Sequence, residues 1–178
     1  MGPDDDPIVK LLSNEDDVYE LPLSAARLSK MIETAKDCDC AGDSDSDEDD
    51  DDAAVIPIPK ASSNCLARVV EFCKHHAEEP LNPIQTPLEG ETLDAILGQQ
   101  WYREYIGPGR TNQSLVFELV AAANFMEIQP LLDLACLRVS IDLQGKSADE
   151  IRVMLNIPKM TPEEEKKARE EHSWIFEE

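Results

Sequence analysis

Between Leu115 and Leu143 two consecutive helical segments are apolar on nearly every face, and this restricts the fold more than any other feature. The first runs through Leu115, Val116, Phe117, Leu119, Val120, Ala123, Phe125 and Met126. The second runs through Ile128, Leu131, Leu132, Leu134, Ala135, Leu137, Val139, Ile141 and Leu143. A helix on the surface of a soluble domain needs one apolar stripe, so apolar residues all round require cover on a second side. A chain of 178 residues has little mass left to provide that cover. The surplus face therefore reads as a docking site for another protein.

The flanking segments are well punctuated. Gly145 suits the position just past the end of the second apolar helix. Ser147 with Glu150, and Thr161 with Glu164, form capping boxes, and Pro162 occupies the favoured first helical position. Upstream, Ile8–Leu12 and Val18–Leu23 read as a hairpin with a longer loop. Ser24 is expected to cap a helix striped by Leu28, Met31, Ile32 and Ala35. In Val55-Ile56-Pro57-Ile58-Pro59, two prolines delete N–H groups from one side, which predicts a strand that pairs only through its other side. Leu66, Val69, Val70 and Cys73 mark a further helix, and a proline-bearing linker leads to a helix expected over Thr92–Ile106. Strand, strand, helix, strand and then helices only is the α+β pattern, a small mixed sheet with helices packed on it.

Charge narrows the partners. The formal net charge is −22, and eight of the 38 acidic residues crowd between Asp43 and Asp52, leaving the rest still acidic. Such a chain repels nucleic acid and anionic membrane surfaces. No apolar run approaches the ~20 residues of a membrane span. The first residues lack the apolar core of a secretory signal, so none is expected. Five irregularly spaced cysteines suggest no disulfide framework and fit a reducing compartment, cytoplasm or nucleus.

Candidate chemistry is sparse. Asp43-Ser44-Asp45-Ser46-Asp47 looks like the start of a calcium loop, but the sixth and twelfth places hold Glu48 and Ala54 where Gly and Glu are needed. Ser44 and Ser46 have acidic residues three positions on and are candidate sites for an acidophilic kinase. Cys38-Asp39-Cys40 and Cys73-Lys74-His75-His76 hold metal-ligand residue types at spacings that match no zinc pattern. With seven glycines, no Gly-flanked serine and no phosphate-cradling loop, neither an enzyme nor a cofactor is expected. Trp174, in a segment otherwise nearly all charge, is either a staple to the body or an interface anchor. An acidic chaperone for basic partners is one rival reading, and a hydrolase is another.

The blocks Phe117-Glu118-Leu119, Ala122-Ala123-Asn124-Phe125, Leu131-Leu132-Asp133-Leu134-Ala135-Cys136 and Gly145-Lys146-Ser147 follow in order. They continue into Glu150-Ile151-Arg152, Asn156-Ile157, Thr161-Pro162-Glu163-Glu164-Glu165 and Trp174. This run resembles the S-phase kinase-associated protein 1 family, the F-box adaptors of cullin–RING ubiquitin ligases. The resemblance implies a BTB/POZ-like domain over residues 7–144, interrupted by a disordered acidic loop at 37–53, and an F-box-binding extension of two helices over 145–178. By position, Asn124 and Phe125 would face the cullin. Val116, Phe117, Val120, Leu132, Cys136, Val139, Leu143 and Trp174 would face the F-box. The family usually has Tyr at the place of Phe125. Elongin-C relatives lack the last two helices, so Trp174 favours the F-box branch. In some protist members the proline matching Pro162 is hydroxylated and glycosylated, and a plain first-turn proline is the alternative. The expectation is a non-catalytic adaptor that forms a homodimer when free.

Overall fold

The computed structural model describes residues 6–39, 55–88, 90–172 and 174, with 36–39 by backbone alone. Ser44, Ser46 and most of the expected acidic loop lie outside the described residues. The chain divides into two compact units, Met1–Asp142 and Leu143–Glu178, each described here by itself.

The first unit is built on a three-stranded mixed sheet of order β2-β1-β3. Strands β1 (Ile8–Leu12) and β2 (Val18–Pro22) form the expected antiparallel hairpin, with Leu11 opposite Tyr19. Val9, Leu11 and Leu21 point inward and are buried, the period-two pattern of a sheet with one wet face. Strand β3 (Val55–Pro57) lies parallel to β1 at the sheet edge. Ile58 N–H donates to the Leu12 carbonyl at 2.8 Å. Pro57 and Pro59, one step either side, therefore place their missing N–H groups on the unpaired edge, where they cost nothing.

Two helical expectations are corrected. Helix α1 (Leu23–Ala26) and helix α2 (Lys30–Asp39) are separate, and Ser24 caps neither. Its backbone N–H and hydroxyl are both taken by the Asp6 carboxylate. Ser29 does the capping instead, accepting from Ile32 N–H at 3.3 Å while its hydroxyl donates to the Met126 carbonyl in the core. The helix expected over Thr92–Ile106 is also two, α4 (Leu93–Ile96) and α5 (Gln100–Ile106), parted at Leu97-Gly98-Gln99. The break holds Gly98, a poor helix former, and beside it the Gln99 side-chain amide donates to the Pro80 carbonyl at 2.9 Å and accepts from Asn82 N–H at 2.8 Å.

Helix α3 (Ser63–Glu78), capped by Ser62, crosses the core. Its Cys65, Leu66, Val69, Phe72 and Cys73 are buried against Tyr102, Tyr105 and Ile106 of α5 and the inner faces of α6 (Gln113–Phe125) and α7 (Gln129–Leu143). Each such leucine or phenylalanine is worth about 1.5–3 kcal/mol.

In the second unit, α8 (Ala148–Met154) and α9 (Pro162–Glu171) each carry a complete capping box. Ser147 accepts from Glu150 N–H at 3.4 Å and the Glu150 carboxylate accepts from Ser147 N–H at 2.8 Å. The Ser147 hydroxyl, donating to that carboxylate at 2.7 Å, and then the Ser147 N–H hold the Glu150 carboxyl below the usual carboxylate range, and the N–H and hydroxyl of Thr161 do the same for Glu164. Gly145, at φ +73°, takes the left-handed position its place after α7 predicts.

Candidate functional site

Helices α6 and α7 present one face to the core and another outward. On α6, Leu115, Leu119, Ala122 and Ala123 are buried, and Phe117 and Val120 are half-buried. On α7, Leu131, Leu134 and Ala135 are buried. Leu132 and Val139 are half-buried, Cys136 is exposed, and Leu143 closes the helix half-buried. Phe117 with Val120, and Leu132 with Cys136, Val139 and Leu143, follow the three-and-four spacing of a helix face. Each helix thus carries an apolar stripe left partly open. Val116 departs from this arrangement: at 1% exposure it lies in the core and supports the face from behind. Trp174, in the second unit, is 70% exposed, and Val153, Ile157 and Met160 of that unit are exposed too.

Asn124 and Phe125 sit at the C-terminal end of α6. Asn124 is exposed, and its carbonyl accepts from Glu127 N–H at 3.3 Å in the turn that leads to α7. Phe125 is half-buried, with the Lys60 ammonium 6.0 Å from its ring centroid.

Two arginines aim α6. Arg68 of α3 donates to the Tyr105 carbonyl at 2.5 Å and to the Thr111 hydroxyl at 3.0 Å, and lies 3.9 Å from the Tyr105 ring centroid. Arg138 of α7 donates to the Ile106 carbonyl at 2.9 Å and to Asp142 at 2.9 Å. Together they help pair the last carbonyls of α5 in the core: Arg138 serves Ile106, and Arg68 shares the Tyr105 carbonyl with the Thr111 hydroxyl. At Gly107 a Cβ would come within 2.7 Å of the Arg103 carbonyl oxygen, so only glycine makes this turn. Asn112 then caps α6, accepting from Leu115 N–H at 2.9 Å.

None of this is nucleophilic machinery. Burial pushes the Cys65 and Cys73 thiols up to about 12, and burial with the Asp133 charge raises Cys136 as well, so these thiols stay protonated at neutral pH. His75 stacks on Trp101 at 3.7 Å between centroids, and His76 Nδ1 accepts from Leu81 N–H at 3.1 Å. Among the described residues, no three His, Cys, Asp or Glu side chains are placed to hold a metal ion.

Sequence reasoning missed the two buried arginines and the way the linker that follows α3 is held. A cation inside the stripes of α3 and α7 was the available signal, since a buried arginine must find acceptors. For the linker there was none, because its hold on Gln99 joins residues 17 and 19 apart in the chain.

Comparison with known proteins adds family. Residues 7–78 match the model described as "Skp1 family, tetramerisation domain", and residues 129–175 match "Skp1 family, dimerisation domain". The chain is 32% identical over 170 residues to "SKP1-like protein 1A" of Arabidopsis thaliana, covering 95% of this chain and 97% of the relative. It is 33% identical to "SCF ubiquitin ligase complex protein SKP1b" of Dictyostelium discoideum, covering 94% of each. It is 36% identical over 120 residues to "E3 ubiquitin ligase complex SCF subunit sconC" of Emericella nidulans, covering 67% of this chain and 71% of the relative.

Proposed function

This chain belongs to the Skp1 family, and from that premise we propose that it bridges a cullin to F-box substrate receptors. It is a non-catalytic adaptor subunit of an SCF-type ubiquitin ligase and supports ubiquitin-dependent protein degradation, with the transfer chemistry left to other subunits. Its α+β fold is of the BTB/POZ type. We assign residues 7–144 to that domain and 145–178 to the F-box-binding extension.

One observation carries the assignment of faces: the inner sides of α6 and α7 are already committed to the core, yet apolar side chains remain open on their outer sides. Phe117, Val120, Leu132, Cys136, Val139 and Leu143, backed by Val116, form the F-box face, and Trp174 of the extension is an F-box anchor in its own right. Truncating a buried aromatic anchor at an interface costs about 2 kcal/mol or more. Asn124 and Phe125, at the end of α6, meet the cullin. When free, the chain covers the F-box face by forming a homodimer, which an F-box dissociates. It works in cytoplasm and nucleus. Pro162 lies exposed at the first turn of α9, within reach of a hydroxylase, and Ser44 and Ser46 are candidate phosphorylation sites.

Tagged purification from the native cell, with mass spectrometry of what is retained, tests this. A cullin together with several proteins that share an F-box is the expected outcome. Basic proteins alone would overturn it in favour of an acidic chaperone. F-box proteins without a cullin would refute the bridging role.

A further inference from the structure

The linker after α3 does not hang free. Its root is pinned at three points: Leu81 N–H to His76 Nδ1 at 3.1 Å, Asn82 N–H to Gln99 Oε1 at 2.8 Å, and Gln99 Nε2 to the Pro80 carbonyl at 2.9 Å. Leu81 and Ile84 then pack against the core. Held this way, residues 84–88 run beside α7 and leave a groove of about 350 Å³ between the two. Ile84, Thr86 and Leu88 form one wall, and Asp133, Cys136, Leu137 and Ser140 of α7 form the other. Leu88 remains 37% exposed, and Cys136 is exposed.

Resting on the F-box reading above, we infer that this groove is an anchor pocket for the F-box partner: it takes one bulky aliphatic or aromatic side chain from a partner helix. Three features of the groove support that occupant. Cys136 belongs at once to the groove and to the Leu132–Cys136–Val139 stripe, so a helix lying on that stripe passes over the groove mouth. Ile84, Leu88 and Leu137 give it an aliphatic surface, bordered by the Cys136 thiol, a hydroxyl on either side and a single carboxylate, so it takes an apolar side chain. Asp133 accepts from Gln129 at 2.6 Å and keeps lone pairs open, so the residue beside the anchor is neutral or basic and never acidic. Because its root is fixed, the wall is formed before the partner arrives, which spares the ordering cost of binding.

The linker thereby becomes part of the receptor-reading surface, where sequence alone shows only a proline-bearing connection. Its composition selects among F-box proteins by what stands at the anchor position.

The test uses the full chain and a recombinant F-box domain recovered with it in the purification above, with affinity read by calorimetry. Leu88→Asp removes part of the apolar wall and adds a charge at an exposed site. Ser140→Trp fills the groove from the exposed side of α7. Each is expected to weaken F-box binding at least tenfold, with thermal unfolding and cullin binding unchanged. Val120→Asp, on α6 and outside the groove, is the control for the face as a whole. Wild-type affinity in both groove variants, with binding abolished by Val120→Asp, overturns the pocket and leaves the F-box reading standing. Tighter binding by Leu88→Asp also overturns it, because the linker would then be a strap that shields the face. Unchanged binding in all three variants would overturn the F-box face itself.

Discussion

Replacing Arg68 by Met should remove about 3 kcal/mol of stability from the first unit, and the figure follows from what the guanidinium touches. The side chain is about nine-tenths buried and makes two hydrogen bonds, to the Tyr105 carbonyl and to Thr111, besides an ion pair with Glu71. A charge-assisted hydrogen bond is worth about 1.5–3 kcal/mol when its loss leaves an acceptor unpaired. Here the loss is softened. The Tyr105 carbonyl keeps a bond from the Thr111 hydroxyl at 2.6 Å, and Glu71 keeps Arg110 at 2.8 Å. Losing the stack on Tyr105 adds about 1 kcal/mol. Methionine refills most of the stem, so the cavity term is small. With a urea dependence of about 2 kcal/mol per molar, the midpoint should fall by about 1.5 M. Trp101, stacked on His75 and Tyr105, reports on this unit by fluorescence once Trp174 is replaced by Phe. Arg68→Lys should recover less than half the loss, since an ammonium lacks the planar fork. A midpoint shift in Arg68→Met of less than about 0.3 M would place the contact among ordinary surface pairs and refute the account of how α6 is aimed.

Trp174→Ala should weaken F-box binding by about 2 kcal/mol, read by calorimetry, while leaving the unfolding midpoint within about 0.5 kcal/mol of wild type because the ring is exposed. Asn124→Lys combined with Phe125→Lys should abolish cullin binding in a reconstituted pull-down and spare F-box binding; loss of both partners together would merge the two faces. Burial first, and then neighbouring His75, hold the His76 imidazole below its ordinary value, so folding favours the neutral ring. Its contribution is therefore complete above about pH 6.5 and is lost as the pH falls through the lowered value, when protonated Nδ1 no longer accepts from Leu81 N–H. Midpoints measured between pH 7.5 and 5.5 should decline in the wild type more steeply than in His76→Gln, and parallel curves would refute this.

What the sequence disclosed and what it hid divide along a physical line. Features settled by neighbours in the chain were legible: the hairpin and its loop, the one-sided pairing of Val55–Pro57, both capping boxes and the left-handed Gly145. In each, the deciding hydrogen bond, steric clash or missing N–H belongs to a few neighbouring residues. The misplaced cap at Ser24 shows where this fails. Its local signal was sound, but Ser24 lies inside α1, its hydroxyl held by Asp6, 18 residues away, and Ser29, tied to Met126 97 residues away, makes the cap. At the break in the helix over Thr92–Ile106 the ties are distant too, Gln99 bonding Asn82 and Pro80, 17 and 19 residues away.

The candidate faces follow the same rule. Apolar residues beyond what one stripe requires reveal that α6 and α7 need cover, because periodicity is a local property. Which residues stay open is not local: Val116 and Val120 are alike in sequence, yet Val116 sinks into the core and Val120 remains half-open. Arg68 and Arg138 explain how the face is held. Two buried cations on different helices grip successive carbonyls at the end of α5, Tyr105 and Ile106, so the turn into α6 is fixed from both sides. An adaptor that does no chemistry has only geometry to offer its partners. Burying two arginines to set the start of one helix, at a desolvation cost that an apolar pair would avoid, makes sense where the direction of that helix is the product.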